Sequence, residues 1–296
     1  MRYSTTLILL LFSLISSAQL IENNKEQFSK TKVLSITIMG YPLDEYGAPS
    51  KVGSKKEYSK YDLRGNQVKL VTYDAQSAII KNSSFVYKNN IKYKTLTKDK
   101  TDKTIFLKSC ELGKKNTINS CKGTSKGKDF SYSYLYDRKG LILSKTKKGA
   151  SDKIIHSFSY SYNEKSNLAK EEYQGIRKVV SNFKYNELNQ LINKEVFSNN
   201  LLSHQIEYKY DKNHDLIQEI KFNTRGLVEE QLRYTYFEKG KIKSIAKFNR
   251  SNQLERKWAY TYNDKWNIDT IKIYDGEKSN PLYMSQYLYK YHTLKK

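Results

Sequence analysis

Proline is almost absent from the body of this 296-residue chain: Pro42, Pro49 and Pro281 are the three that occur, and all lie toward the ends. The stretch between them keeps every backbone N–H, as the interior of a sheet requires and proline forbids. Metal ligands are scarce as well. There are four histidines and two cysteines, and no histidine lies near Cys110 and Cys121 to complete a tetrahedral set. Paired cysteines in an exported chain imply a disulfide, here closing a short loop worth about 2–3 kcal/mol. No HExxH, no G-x-S-x-G elbow and no phosphate-cradling glycine loop occurs. His214 falls at a turn, while His156 and His204 each stand six residues before a tyrosine of the repeat described below and read as packing residues. The chain thus reads as non-catalytic, with no cofactor and no metal. A carbohydrate-active enzyme with two converging carboxylates is the enzymatic alternative, though no spacing singles out such a pair.

Long apolar runs are lacking beyond the start. Arg2 precedes the largely apolar Leu7–Ile15, and Ser16-Ser17-Ala18 supplies the small residues read by a signal peptidase. Residues 1–18 are therefore read as a signal peptide cleaved before Gln19, too short to span a bilayer. No cysteine follows the cleavage point to carry a lipid, and no later stretch is apolar enough to cross a membrane. Acid is in deficit: 30 Asp and Glu face 53 Lys and Arg, a net charge of +23. Such a surplus suits anionic lipid or glycan surfaces or an acidic protein face. It also suits the plainer role of keeping an exposed sheet from aggregating.

What is abundant is tyrosine, at regular intervals. Tyr136, Tyr162, Tyr185, Tyr210, Tyr236 and Tyr262 are separated by 26, 23, 25, 26 and 26 residues, and Tyr61 and Tyr87 by 26. A fixed period of this size marks a repeat architecture. Around Tyr210, Glu207-Tyr208-Lys209-Tyr210 alternates as a strand does, and Leu216-Ile217-Gln218-Glu219-Ile220-Lys221-Phe222 forms a second strand after a turn. Leu216, Ile220 and Phe222 are expected on one face, with Glu219 and Lys221 on the other. An aliphatic residue recurs six positions after the anchor (Ile142, Leu168, Leu191, Leu216, Ile242, Ile268) and an aromatic one eleven or twelve after it (Tyr73, Tyr173, Phe197, Phe222, Phe248, Tyr274). Asp or Asn follows most anchors, where its side chain starts a turn. Gly65, Gly140, Gly240, Asn189 and His214 occupy the position that needs a left-handed backbone, and Trp266 fits that position poorly. The fold expected is all-β: a single domain over 19–296 of tandem ~25-residue hairpins in a long, twisted antiparallel meander of roughly 18–20 strands, without a substantial helix.

The unit seen in Tyr134-Leu-Tyr136-Asp-Arg-Lys-Gly140-Leu-Ile142 and again at Tyr208–Leu216 resembles the YD repeat of RHS proteins, from about Tyr58 to Tyr291. Large members of that family wrap such repeats around a C-terminal toxin released by an aspartate-containing core segment. This chain ends in Tyr287-Leu-Tyr289-Lys-Tyr291 with no such segment, so the toxin-enclosing role is not implied. Short exported forms with this Lys/Asn/Tyr-rich composition resemble proteins of Bacteroidota, which implies the periplasm, or else the cell surface or secretion.

The pattern breaks near residue 112, where Glu111-Leu112-Gly113 offers no aromatic anchor. A degenerate unit is expected over about 95–130. It holds both cysteines, and from Lys92 to Lys128 it has eleven lysines against Asp99, Asp102 and Glu111. Lys108, Lys114, Lys115, Lys122, Lys126 and Lys128 form the candidate binding patch; a decayed unit stapled by a disulfide is the plainer reading. Interleaved Tyr and Lys resemble a nucleic-acid stacking platform, but the aromatics occupy positions the hairpin needs, and export argues against nucleic acid. The function expected is a protein-interaction module in a Gram-negative envelope, docking through sheet edges as an accessory subunit that plugs or scaffolds an outer-membrane secretion channel. The alternative is a polyanion- or glycan-binding protein.

Overall fold

A computed structural model of the chain describes residues 25–113, 116–238 and 240–293. The signal peptide expected over 1–18 lies outside these residues. One short helix, α1 (Lys25–Thr31), leads into twenty strands. They are β1 (Val33–Pro42), β2 (Ser54–Tyr61), β3 (Gln67–Tyr73), β4 (Ile79–Lys88), β5 (Ile91–Asp99), β6 (Thr104–Leu112) and β7 (Ile118–Ser125). There follow β8 (Lys128–Tyr136), β9 (Ile142–Gly149), β10 (Ile154–Tyr162), β11 (Leu168–Gln174), β12 (Lys178–Tyr185), β13 (Leu191–Ser198) and β14 (Leu201–Tyr210). The last six are β15 (Leu216–Phe222), β16 (Val228–Tyr236), β17 (Ile242–Asn249), β18 (Leu254–Tyr262), β19 (Ile268–Asp275) and β20 (Tyr283–Tyr291).

Each strand pairs antiparallel with its neighbours in sequence, and β1 pairs with both β2 and β20. The sheet is therefore a closed barrel and not the open meander expected. The closing strand explains the difference. Val33-Leu-Ser-Ile-Thr-Ile-Met-Gly-Tyr-Pro42 belongs to no tyrosine repeat, yet it pairs with β20 in unbroken register from Ser35↔Lys290 to Pro42↔Tyr283, with one shift before it at Val33↔Tyr291. Its Ile36 and Ile38 are buried in a core shared with Tyr61, Leu232, Tyr234, Ile245, Tyr260, Ile268, Ile271 and Tyr287. Closure leaves no strand edge unpaired.

Every anchor sits at a register shift. Tyr210 pairs with Leu216 but Lys209 pairs with Gln218, so one extra residue, Ile217, bulges out. The same shift occurs at Tyr61, Tyr87, Tyr136, Tyr162, Tyr185, Tyr236 and Tyr262. A one-residue insertion exchanges the two faces of everything beyond it. Glu219 thus stands opposite Tyr208, on the tyrosine face, while Ile220 and Phe222 lie on the other. This reverses the sidedness read from alternation alone. The aromatics at position twelve accordingly lie away from the anchors, and three of them, Tyr73, Phe248 and Tyr274, sit under basic side chains: the Arg233 guanidinium is 4.0 Å from the Phe248 ring centre.

Six of the anchors, Tyr136 to Tyr262, use their hydroxyls to join hairpins. Tyr162 donates to the carbonyl of Ile142 at 2.8 Å, Tyr185 to Leu168 at 2.9 Å, Tyr210 to Leu191 at 2.9 Å and Tyr262 to Ile242 at 2.9 Å. Tyr136 and Tyr236 do the same to Ile118 and Leu216. Each acceptor is the residue opposite the preceding anchor, so every bond ties one hairpin to the one before. Tyr289, donating to Ile268 at 2.8 Å, is a further anchor hidden by the irregular loop around Pro281.

The turns follow the expected chemistry. The Asp211 carboxylate accepts from the backbone N–H of Asn213 and Asp215 at 2.8 and 2.9 Å. The left-handed position holds Gly65, Gly140, Gly240, Asn189 and His214, and Trp266 adopts it too, with φ 57° and its ring 6.1 Å from that of Tyr262. The opposite turns repeat the device, with Asn223 and Asn249 as acceptors and Gly226 and Asn252 left-handed. The helix α1 lies across the anchor turns at one end of the barrel. Phe28 meets Tyr61 edge-on at 4.9 Å, and the Gln27 and Ser29 side chains donate to the carbonyls of Lys265 and Leu63.

If the inter-hairpin bond is what selects tyrosine, Tyr210→Phe should strand the Leu191 carbonyl and cost about 1–2 kcal/mol. Thermal or urea unfolding of this variant beside the wild type measures it, and an unchanged midpoint would refute the role.

Candidate functional site

The region expected to be degenerate is an intact pair of hairpins. Leu112 occupies the anchor position, paired with Ile118 across the usual register shift. No hydroxyl is available at Leu112, and the covalent link lies immediately beside it: Cys110 and Cys121 are directly opposed on β6 and β7 and form the disulfide expected. The equivalent cross-strand pairs in other units are Tyr134↔Lys145, Tyr160↔Glu171, Phe183↔Lys194, Tyr208↔Glu219, Tyr234↔Ile245 and Tyr260↔Ile271. The disulfide therefore occupies a standard rung of the tyrosine face.

The candidate lysine patch is not brought together. Lys108 lies on the tyrosine face opposite Gly123, whereas Lys122 pairs with Ser109 and Ser131 on the other face. Lys126 is in the β7–β8 turn with φ 49°, and Lys128 begins β8 at the same end. Lys114 and Lys115 lie outside the described residues.

A different cationic cluster replaces it, assembled on the tyrosine face of β4–β10. The Lys92 ammonium is 4.5 Å from the Phe85 ring centre. Lys145 lies 4.9 Å from Tyr132, and Lys147 5.1 Å from Phe130. Lys108 stands among them. Burial first, then the charges of Lys145 and Lys92, lower its pKa from the ordinary lysine value. His156 packs against Tyr132, Phe158 and Tyr173, and its pKa is lowered by burial and then by Lys147 and Lys145. None of these four lysines forms an ion pair among the described residues. All four are half-buried, so solvent still reaches them. Phe106 and Phe130 stack at 5.7 Å along one wall, and Gly123 leaves room for the Phe130 ring, which an added Cβ would meet at 2.8 Å. The sequence showed lysine density but not which lysines share a face, because the bulges decide that.

Glu219, Glu230 and Glu57 on the same face are engaged elsewhere. Tyr234 donates its hydroxyl to Glu219, and Glu230 pairs with Lys247 at 2.7 Å. Burial raises the Glu219 pKa, the Tyr234 bond lowers it in part, and Glu230 raises it further. Burial likewise raises that of Glu57, which accepts from Ser59. His204 is pushed down to about 4 by burial, aided by Lys221 and Lys194, and so packs as a neutral ring, as expected. No described helix is long and apolar enough to cross a membrane.

Two outcomes follow. A carboxylate whose pKa is raised in the folded state makes folding less favourable as pH climbs through the interval between its unfolded and folded values. Glu219→Gln should therefore raise the melting temperature at neutral pH and leave it unchanged well below pH 4.5. A melting-temperature series from acid to neutral pH tests this, and an equal shift at every pH would exclude the titration. Replacing both Cys110 and Cys121 with Ser should cost about 2–3 kcal/mol under oxidising conditions and leave the protein insensitive to reductant, as read by denaturant unfolding with and without a thiol.

A family described as "Uncharacterised protein" matches residues 150–279, under half of the chain. No curated protein matches the sequence. Among solved structures, the fold is similar to part of the TcdB2-TccC3-Cdc42 complex, with 13% identity and a TM-score of 0.39 over 80% of this chain and 16% of that one. It is also similar to the Photorhabdus luminescens Tc holotoxin pore, with 12% identity and a TM-score of 0.37 over 83% of this chain and 18% of the other. The chain thus spans less than a fifth of the Tc chains it matches. A porin-like protein from Bacteroides uniformis shows 11% identity and a TM-score of 0.41 over 88% of this chain and 98% of that one. At such low scores and identities, no property of these proteins is carried to this chain.

Proposed function

We propose that this chain is an exported, non-catalytic YD-repeat barrel of the Gram-negative envelope, residing in the periplasm, that captures an anionic glycan on its tyrosine face. The observation that carries this reading is the cluster of Lys92, Lys108, Lys145 and Lys147 set against Phe85, Phe130 and Tyr132 with no carboxylate paired to any of the four. Half-buried ammonium groups without counter-ions are held at a cost that an anionic ligand relieves. Aromatic walls add the flat apolar surfaces on which sugar rings lie. The repeat reading rests on the recurrent Tyr-Asp turn and on the tyrosine-to-carbonyl bonds that join successive hairpins.

The protein-docking role expected from exposed sheet edges loses its basis, since β1 and β20 pair with each other. An accessory subunit of an outer-membrane assembly would have to be engaged through turns or faces instead. Nor does either face suit lipid. Lys92, Lys108, Lys145, Lys147, Glu171 and Glu219 interrupt the tyrosine face, and Lys122, Glu172, Lys184 and Lys209 the other. A membrane-spanning barrel needs one face apolar over about 25 Å.

The test is retention on an immobilised anionic polysaccharide such as polygalacturonate or heparin. Exchanging Lys92, Lys108, Lys145 and Lys147 for Gln should release the protein at markedly lower salt, because fewer charges are neutralised on binding. Exchanging Lys122 and Lys126 should do so far less. Equal effects of the two sets would reduce the interaction to bulk charge and defeat the reading.

A further inference from the structure

Because consecutive strands are antiparallel, the turns fall into two sets. Those after even-numbered strands are the anchor turns, most of them opening on Tyr-Asp or Tyr-Asn, and lie at the end that carries α1. Those after odd-numbered strands, beginning with β1–β2 and β3–β4, gather at the opposite end. Of the eighteen exposed large hydrophobic residues, eleven belong to that second end and seven lie in or beside the anchor turns; what sets the second end apart is that its exposed aliphatic groups occupy successive tips. Four successive tips, from β9–β10 to β15–β16, form an unbroken arc. They present Ile154 and Ile155 (58% and 50% exposed), Ile176 (102%), Leu201 (76%) and Leu227 (60%). Single exposed apolar residues are ordinary, but a row of them at one end of a molecule marks an interaction surface.

Basic residues stand between them. Lys153, Arg177 and Arg225 are exposed on the same tips and have no ion partner among the described residues. Asp152 is exposed on the first tip, and Glu229 is paired with Lys221 at 3.0 Å. Neighbouring tips are two strands apart, roughly 10 Å. The aliphatic groups therefore project singly, like teeth, and form no continuous apolar floor of the sort a packed protein interface needs at its centre. Separate apolar projections with cations between them match a different partner: lipid head groups, where each side chain enters the acyl boundary and each cation meets a phosphate.

We propose that the arc of hairpin tips from β9–β10 to β15–β16 rests on an anionic membrane surface, standing the barrel end-on upon it without insertion of its strands. The contact uses residues separate from the lysine cluster of the tyrosine face, and it stands whether or not that cluster binds glycan.

Flotation of the mature protein, from Gln19 onward, with phosphatidylcholine vesicles, with or without phosphatidylglycerol, tests it. The wild type should float with the phosphatidylglycerol vesicles and remain below with phosphatidylcholine alone. Ile154→Ser, Ile155→Ser, Ile176→Ser and Leu201→Ser combined should abolish flotation without unfolding, as circular dichroism checks, since these side chains are already exposed. Exchanging Lys153, Arg177 and Arg225 for Ser should lower partitioning by about a hundredfold at low salt. The Lys92/Lys108/Lys145/Lys147 exchange should leave flotation intact while weakening polysaccharide retention, which separates this contact from the glycan site. Failure of the wild type to float, or undiminished flotation of the aliphatic variant, overturns the proposal. So does loss of self-association in that variant, by sedimentation velocity, with flotation unaltered, which would assign the arc to a second copy of the chain.

Discussion

The bond from the anchor tyrosines Tyr136 to Tyr262, and from Tyr289, to the carbonyl opposite the preceding anchor is the constraint on which the repeated part of this barrel depends. A register shift at the anchor releases one carbonyl from the regular ladder, and a half-buried carbonyl without a donor is costly. The next hairpin supplies that donor from a side chain, as Tyr185 does for Leu168 and Tyr210 for Leu191. Phenylalanine would fill the same volume and leave the carbonyl unmet. The aspartate or asparagine after the tyrosine caps the turn that produces the shift, and the left-handed residue completes it. Tyrosine, carboxylate and turn are thus one device, and the period of the sequence is the period of that device.

The register shift also decides where charge goes. By exchanging the faces of each second strand, it sets Lys145, Glu171, Lys194 and Glu219 opposite aromatic side chains. Where that position holds Ile245 or Ile271, the wall packs into the core with β1 and α1. Where it holds lysine, the wall becomes a row of ammonium groups over rings, a pairing worth about 0.5–2 kcal/mol according to desolvation. One backbone geometry therefore carries different walls, according to whether that rung holds isoleucine, lysine or glutamate. The disulfide is a fourth occupant of that rung, in the unit whose anchor is leucine.

Much of this was legible in the sequence, because local chemistry repeats. The period, the turns, the strand count and the cysteine pairing all follow from residues within a few positions of one another. Sidedness was not legible, since Ile217 looks like any strand residue and only its lack of a cross-strand partner marks it as the bulge. Closure was not legible either. It depends on β1, which shares no motif with the repeats and meets β20 only across the whole length of the chain. The lysine patch failed for the same reason as the face assignment. Proximity in sequence put Lys108 and Lys122 together, and the ladder puts them on opposite faces.

Closure changes what such a repeat array presents to other molecules. An open meander would offer two strand edges, each a row of unmet N–H and C=O groups, and recognition would run through the backbone. Once β1 bridges β20 and β2, those groups are satisfied, and only side chains on faces and tips remain to discriminate. The two ends then cease to be equivalent. Anchor turns spend their carboxylates and amides on their own backbones and two of them, at Leu63 and Lys265, are further held by α1, while the opposite tips keep aliphatic groups such as Ile176 and Leu201 in solvent. A closed barrel of repeats therefore has two different ends, one built from tyrosine-anchored turns and one from tips with a run of aliphatic groups, and its contacts must follow that asymmetry.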